Sequence, residues 1–467
     1  MGVCDEPGAS LRSRSGVACL LVLARKVVSP GTYWGEHESG KGSPMRDIGT
    51  DGLGEALAAA EAAPPVESVD VIAATLRIQL GARSVSFLIT DFTGASVVRL
   101  GTADDLDVER PADPIAVSGT VYDEVIRTQR PHVEAVGGGA WTRVIAPVTN
   151  RGDALGLLEL HLPHHPGPAT LLKISRSAHA LSYIIIANRP FTDLYQWGRR
   201  TSPLSLAAEI QHRLLPTSLA CEAAQFAVAG ALEPAEFVGG DTFDYVIDRD
   251  HVQLSVTDAM GHDVDAALLA TLLVGALRRA RRQGADLREQ AQTADQAVAK
   301  HSGGRYVTGQ LLRISLHDGR TEFINAGHPW PVRLRGGKVE EIAPTIDMPF
   351  GFLAPHTYTV QHLDLRAGDR LIMLTDGMQE RRAADLDLPA LIENTQDLHP
   401  REAARVLIEH VVHAHDGLLQ DDATVMCLDW YGTDSTRRDA DHGADLAEAS
   451  PTVGQHTAPP GTADPRS

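Results

Sequence analysis

Cysteine is scarce in this chain: Cys4, Cys19, Cys221 and Cys427 stand far apart among 467 residues, with no CxxC pair. That spacing excludes a disulfide framework and a zinc knuckle, and it fits a reducing, cytoplasmic setting. Positive charge is also in short supply. The 42 Lys and Arg face 61 Asp and Glu, and the net charge of −19 argues against general affinity for nucleic acid or an anionic membrane. Long hydrophobic runs are missing, since no segment approaches the roughly 20 apolar residues needed to span a bilayer. The apolar stretch 264–277 reads instead as a core helix. The early segment RSRSGVACLLVLARKV has the look of a signal peptide, but its apolar run is short, Arg25 and Lys26 follow at once, and no small-x-small site precedes them. A leader, with Met45 as a plausible true start, is the better expectation. There is no GxSxG, no Cys-x5-Arg and no GxxxxGK[ST], so neither a covalent nucleophile nor an ATP loop announces itself.

What is present suffices for packed cores: 43% of the residues are hydrophobic, and the length predicts two domains with linkers. Residues 1–65 are rich in Gly, Ser, Pro and Ala without periodicity and are expected to be a disordered leader, as is the tail 433–467. Over 66–189 the pattern is helix (SVDVIAATLRIQLGA), hairpin turning at Thr93 and Gly94, helix capped by Ser118 and stopped by Pro131, hairpin turning at Asn150 to Asp153, and a closing helix. That order and the phrase VIAPVTNRGDALGLLELH resemble the GAF family of small α/β sensor domains. The closing helix carries Leu171, Ile174, Ala178, Leu181 and Ile185 in one stripe, which suits either its own domain or a homodimer seam. The segment 190–216 reads as a helical linker, with Ser202 as cap, Pro203 in the first turn and Leu206, Ile210 and Leu214 on one face.

From residue 217 onward the pattern becomes short strands ending in acidic turns. EFVGGDTFDYVI carries Asp241 and Asp244, HVQLSVTDAMGH ends at Asp258, DRLIMLTDGMQE ends at Asp376, and LLQDDATVMCLDW opens with Asp421 and Asp422. A single aspartate at a strand end is ordinarily a turn residue or a cap. Repetition of the arrangement asks for more. If these ends converge, each pair of carboxylates about 4 Å apart costs roughly 4 kcal/mol at an effective dielectric of 20. Hard oxygen donors without cysteine predict Mg²⁺ or Mn²⁺ as the compensating charge, and two such ions bridge a water for in-line attack on a phosphate.

The blocks VGGDTFDY, VTDAMGHDVDAALL, YVTGQLLRISL, FINAGHPWPVRL, MPFGF, AGDRLIMLTDGMQE and DDATVMCL then stand in the order and spacing of the metal-dependent PPM-type serine/threonine phosphatases. The resemblance spans roughly 203–432 and is nearest to the bacterial branch typified by the stage II sporulation phosphatase. It implies an α+β fold, an αββα sandwich of two antiparallel sheets flanked by helices over 217–432, with two Mn²⁺ or Mg²⁺ ions at one end. Carried onto this chain, it makes Asp241, Asp258, Asp376 and Asp421 metal ligands, Asp258 bridging both ions, with Ala259 giving its backbone carbonyl. Asp244 and Asp422 are candidates to orient those ligands from behind. Asp263 and Asp265 read as first-turn residues of the following helix, favoured by its dipole. Asp263 stands where the family usually has Gly, which bears on the turn. Met260 occupies the position of the acid histidine of eukaryotic members, so that role is not transferred; His262 and His328 read as loop architecture. RRARR at 278–282 reads as a helix end facing solvent. The resemblance implies a phosphoprotein phosphatase acting on a STAS-type anti-anti-sigma protein under control of the GAF-like domain, whose signal is unknown. The competing reading is a silent phosphatase-like module that docks a regulatory partner.

Overall fold

The computed structural model describes residues 53–102, 113–201, 204–235, 239–352, 354–379, 386–415 and 419–435. Most of the expected leader and tail, and the expected cap Ser202 with Pro203, lie outside the described residues. Within the expected leader, however, stands a helix, α1 (Leu53–Ala62). Its alanines favour helix, and Ala60 packs into the same core as Ile72 and Leu76 of α2 (Ser68–Leu80).

Six strands then make one antiparallel sheet: β1 (Ser84–Thr90), β2 (Ser96–Thr102), β3 (Ile115–Ala116), β4 (His132–Val136), β5 (Trp141–Asn150) and β6 (Asp153–Leu162), in the spatial order β3-β2-β1-β6-β5-β4. Both hairpins turn where the sequence places them. The edge strands β3 and β4 carry no clear signal, one being two residues long and the other only half-buried along its length. Helix α3 (Val121–Thr128) begins later than Ser118, because Gly119 turns the chain at φ 70° and the Thr120 hydroxyl accepts the Tyr122 N–H at 3.2 Å. In α4 (Pro168–Asn188) the stripe Leu171, Ile174, Ala178, Leu181 and Ile185 is buried in the sheet's own core. Those side chains are therefore used within the domain and not as a dimer seam.

Two short helices follow, α5 (Leu194–Gly198) and α6 (Leu206–Leu214). Ser205 caps α6 by accepting the Ala208 N–H at 3.2 Å. The buried face of α6 is only in part the expected one: Leu214 packs against the core and Ile210 is half-buried, but Leu206 is 65% exposed, while Ala207, Ala208 and Gln211 are buried. The reason is close approach. A Cβ added to Gly239 would stand 2.8 Å from that of Ala207, which leaves room only for small side chains.

The C-terminal part is two antiparallel sheets face to face. The first, ordered β15-β12-β11-β10-β9, contains β9 (Asp241–Ile247), β10 (His251–Ala259), β11 (Val307–Ser315), β12 (Thr321–Ala326) and β15 (Gln361–His362). The second, ordered β14-β13-β16-β17-β8-β7, contains β7 (Ala220–Glu222), β8 (Phe226–Glu233), β13 (Val332–Arg335), β14 (Lys338–Glu341), β16 (Asp369–Leu374) and β17 (Ala423–Trp430). Phe226, Phe243, Val256, Phe323, Met373 and Leu428 interdigitate between them, each large side chain contributing about 1.5–3 kcal/mol by burial. Helices α7 (Asp263–Arg282) and α8 (Leu287–His301) cover the outer face of the first sheet. Helices α9 (Leu388–Asn394) and α10 (Pro400–Ala414) cover the second. This is the expected αββα sandwich. It meets the N-terminal sheet through α10, where Arg405 pairs with Asp123 at 2.8 Å and Arg401 donates to the carbonyls of Ile126, at 3.0 Å, and Gly152. Among the described residues no helix is long and apolar enough to cross a membrane.

Candidate metal centre

The register of β9 on β10 sets Asp241 directly opposite Asp258. Both strands reach the same end of the sandwich because their flanking turns pack backbone on backbone. The Gly240 carbonyl accepts the Ala259 N–H at 3.1 Å, and a Cβ on Gly240 would come within 2.4 Å of the Ala259 carbonyl oxygen. Only glycine fits there. Beyond Ala259 the chain turns into α7 through Gly261 at φ 123° and Asp263 at φ 60°. Asp263 thus carries a left-handed backbone at the position where the family pattern has Gly. Its carboxylate lies 3.0 Å from the exposed His262 ring, and Asp265 in the same first turn pairs with Arg305 at 3.1 Å. Neither turn acid joins the others.

The second sheet brings its acids to the same end. β16 delivers Thr375 and Asp376, and Asp421 and Asp422 precede β17; Gly377 holds the two turns together, since a Cβ on it would lie 2.0 Å from the Asp422 carbonyl oxygen. Asp241 is 2% exposed and accepts hydroxyl hydrogen bonds from Thr375 at 2.7 Å and Thr424 at 2.6 Å on one oxygen. Asp422 is buried and accepts the N–H groups of Ala235, Gly240 and Asp241 at 2.8, 3.1 and 3.3 Å. The Gln211 side chain of α6 completes this: its amide donates to Asp422 at 2.6 Å and to the Asp241 carbonyl at 2.8 Å. Asp422 therefore supports the Gly240–Asp241 backbone from behind.

The electrostatics follow from this crowding. Burial, then the charges of Asp258 and Asp422, push the Asp241 carboxyl well above the usual range, against the hydroxyls of Thr424 and Thr375. Asp258 is pushed up to about 7 by burial and by Asp376, Asp421 and Asp422. Each acid disfavours the next one's charge, which is the condition for cation binding. Among the described residues no three His, Cys, Asp or Glu side chains close on a single point.

Asp244 is placed elsewhere. It lies three positions along β9 from Asp241, on the opposite face by strand alternation, and is held by Arg278 at 2.9 Å and Arg281 at 3.0 Å. Those arginines thus turn inward instead of facing solvent as the sequence predicts. Gln211, Thr375, Thr424 and Glu233 are site residues that the sequence reading passes over. Glu233 ends β8, and burial with the charges of Asp91 and Asp422 pushes it up to about 7.

His328 is buried, with Nδ1 at 2.9 Å from the Thr308 hydroxyl, and its loop is tied by reciprocal bonds to Asn325. That matches the architectural role. Burial pushes its ring down to about 4. A histidine depressed on folding adds stability that is complete above its unfolded value near 6.5 and is lost as pH falls toward 4. Lowering the pH from 7 to 5 is expected to cost roughly 2 kcal/mol at this residue. Urea midpoints at the two pH values, with His328→Gln as reference, check it.

Residues 248–431 match the family model described as stage II sporulation protein E. The stage II sporulation protein E of Priestia megaterium is 24% identical over 205 residues, 43% of this chain and 35% of that protein, so the chain spans about a third of that relative. The phosphoserine phosphatase RsbU of Bacillus subtilis (strain 168) is 21% identical over 234 residues, 49% of this chain and 70% of that protein. A solved structure of the PP2C phosphatase domain with a regulatory fragment of SpoIIE from Bacillus subtilis aligns at TM-score 0.40 and 24% identity, over 44% of this chain and 65% of that one. The family match therefore runs from β10 to the end of β17, and over residues 248–431 the chain is similar to stage II sporulation protein E.

Proposed function

We propose that this chain is a cytoplasmic, metal-dependent phosphatase that hydrolyses phosphoserine or phosphothreonine on a regulatory protein, a STAS-type anti-anti-sigma factor by analogy with its relatives. The observation that carries the reading is the cross-strand pair Asp241–Asp258, with Asp376 and Asp421 near enough for their charges to raise Asp258. The donor set suits a hard divalent cation: it is all oxygen and carries excess negative charge at one half-buried end of the sandwich. Asp241, Asp258, Asp376, Asp421 and the Ala259 carbonyl would hold two Mn²⁺ or Mg²⁺ ions. Bound there, such ions supply Lewis acidity toward a phosphate and a more acidic water. The protein's own part is positioning: Thr375 and Thr424 fix the Asp241 carboxylate, and Asp422 fixes the turn that presents it.

The reading extends to control by the N-terminal sheet as a GAF-like sensor domain. Phe92, in its β1–β2 turn, stacks on the His212 ring with centroids 4.2 Å apart, and the Arg199 guanidinium covers Phe92 at 4.5 Å. His212 is the neighbour of Gln211, so α6 touches the sensor tip and the acid cluster with successive residues. This supports passage of a signal through the linker.

The test is phosphate release by the full chain from p-nitrophenyl phosphate and from a phosphoserine protein, with Mn²⁺, with Mg²⁺ and with chelator. Turnover that requires metal is expected. Folded, metal-replete protein that releases no more phosphate than the chelated sample would overturn the reading in favour of a docking module.

A further inference from the structure

On the far side of β9 from the acid cluster lies a cleft of about 590 Å³, in the size range of small-molecule sites. Its charge runs against that of the whole chain. Arg213, Arg278, Arg281 and Arg282 line it, against only Asp244 and Asp248, in a protein of net charge −19. Asp244 does not neutralise the set. Arg278 spends itself on Asp244 and on the Leu214 carbonyl that ends α6, at 2.6 Å, and Arg281 reaches Asp244 through a single nitrogen. Arg282 is exposed, and the ion pair of Arg213 among the described residues is a 4.0 Å contact with the exposed Asp193, a pair worth little.

The helix dipole accounts for cations at the end of α7, but not for Arg213, which comes from α6 and faces the same space. Each guanidinium is a planar fork suited to phosphate oxygens, and here such groups come from two elements with donors left over. The wall opposite is less polar, with Leu215, Pro216 and the half-buried ring of Tyr245, whose hydroxyl is already committed to the Ser218 and Ala220 carbonyls. We propose that this cleft binds a phosphate-bearing small molecule, a pyrophosphate group or a mononucleotide that carries one. A ligand there would bridge the end of α6 to the end of α7. The inference is independent of the metal-centre reading, because no acid of that centre lines the cleft.

The experiment is calorimetric titration of the full chain, stripped of metal by dialysis against chelator, with inorganic phosphate, pyrophosphate and adenosine diphosphate as probes. Saturable binding of pyrophosphate and of the nucleotide at one site is expected. It should weaken at least about tenfold in Arg213→Ala/Arg282→Ala, a variant that leaves the Asp244 pairs intact and should melt like the wild type. Tighter binding of the nucleotide than of pyrophosphate would identify the base as a ligand for the Tyr245 wall, and equal binding would assign the site to the phosphates alone. The same titration of Asp376→Asn should be unchanged, which separates this site from the metal centre. No binding by any probe, or equal binding by the double variant, overturns the proposal.

Discussion

Asp258→Asn is expected to cut metal-dependent phosphate release by more than about 100-fold, beyond the typical loss for a residue that merely supports a ligand, and to raise the melting temperature of the metal-free protein. The two effects have one cause. Asp258 is half-buried among Asp376, Asp421 and Asp422, and burial and repulsion together push its carboxyl up to about 7. For an acid whose folded value lies above its unfolded value, stability falls as pH rises from about 4 through about 7. At pH 8 without metal the wild type therefore bears a strain that asparagine relieves. After screening through its exposed part, the relief is on the order of 1 kcal/mol, or about 2–4 °C for a domain of this size. Melting curves at pH 5 and pH 8, with chelator and with Mn²⁺, test this. The variant should gain at pH 8 in chelator and lose its advantage in Mn²⁺. A variant less stable in every condition would make Asp258 a structural residue.

Gln211→Ala is expected to lower stability by about 2 kcal/mol and activity by roughly 10- to 100-fold. The Gln211 amide is fully buried, and its removal leaves the Asp422 carboxylate and the Asp241 carbonyl short of a donor. Asp422 and its partners brace the Gly240–Asp241 turn from behind, beside the direct bond from the Ala259 N–H to the Gly240 carbonyl. The loss should appear as a higher Mn²⁺ concentration for half-activity, with less change at saturation. Urea denaturation and a metal titration of the rate measure the two quantities. An unchanged metal requirement would confine Gln211 to a packing role.

The acids of the candidate centre are legible in the sequence because each sits at the end of a strand-like run, whereas the sandwich is implied by the family resemblance and not by the alternation. The helix α7 is equally plain, since Leu269, Leu273 and Leu277 recur on one face. Gln211 is not legible. A polar residue on a short amphipathic helix reads as solvent-facing, and only the approach of Gly239 to Ala207 shows that the small-residue face is the buried one. Asp244 fails for the converse reason: its neighbourhood to Asp241 in sequence masks the strand alternation that sends it to the other face. Its arginine partners come from α7, more than 30 positions away, and such pairing leaves no local trace. The helix α1 was hidden by composition, its alanines reading as linker until a core is there to receive Ala60.

The adjacency of Gln211 and His212 on α6 has a bearing on how such a protein is recombined. Successive residues of a helix point about 100° apart, and here one points to Asp422 while the next stacks on Phe92. The helix is thus indexed in phase as well as in position. A different N-terminal domain joined at this helix would meet the C-terminal domain in the same orientation only if its junction preserves that phase. Within the helical run, adding or deleting a single residue swings the whole graft by about 100°, whereas a change of seven returns it nearly to register.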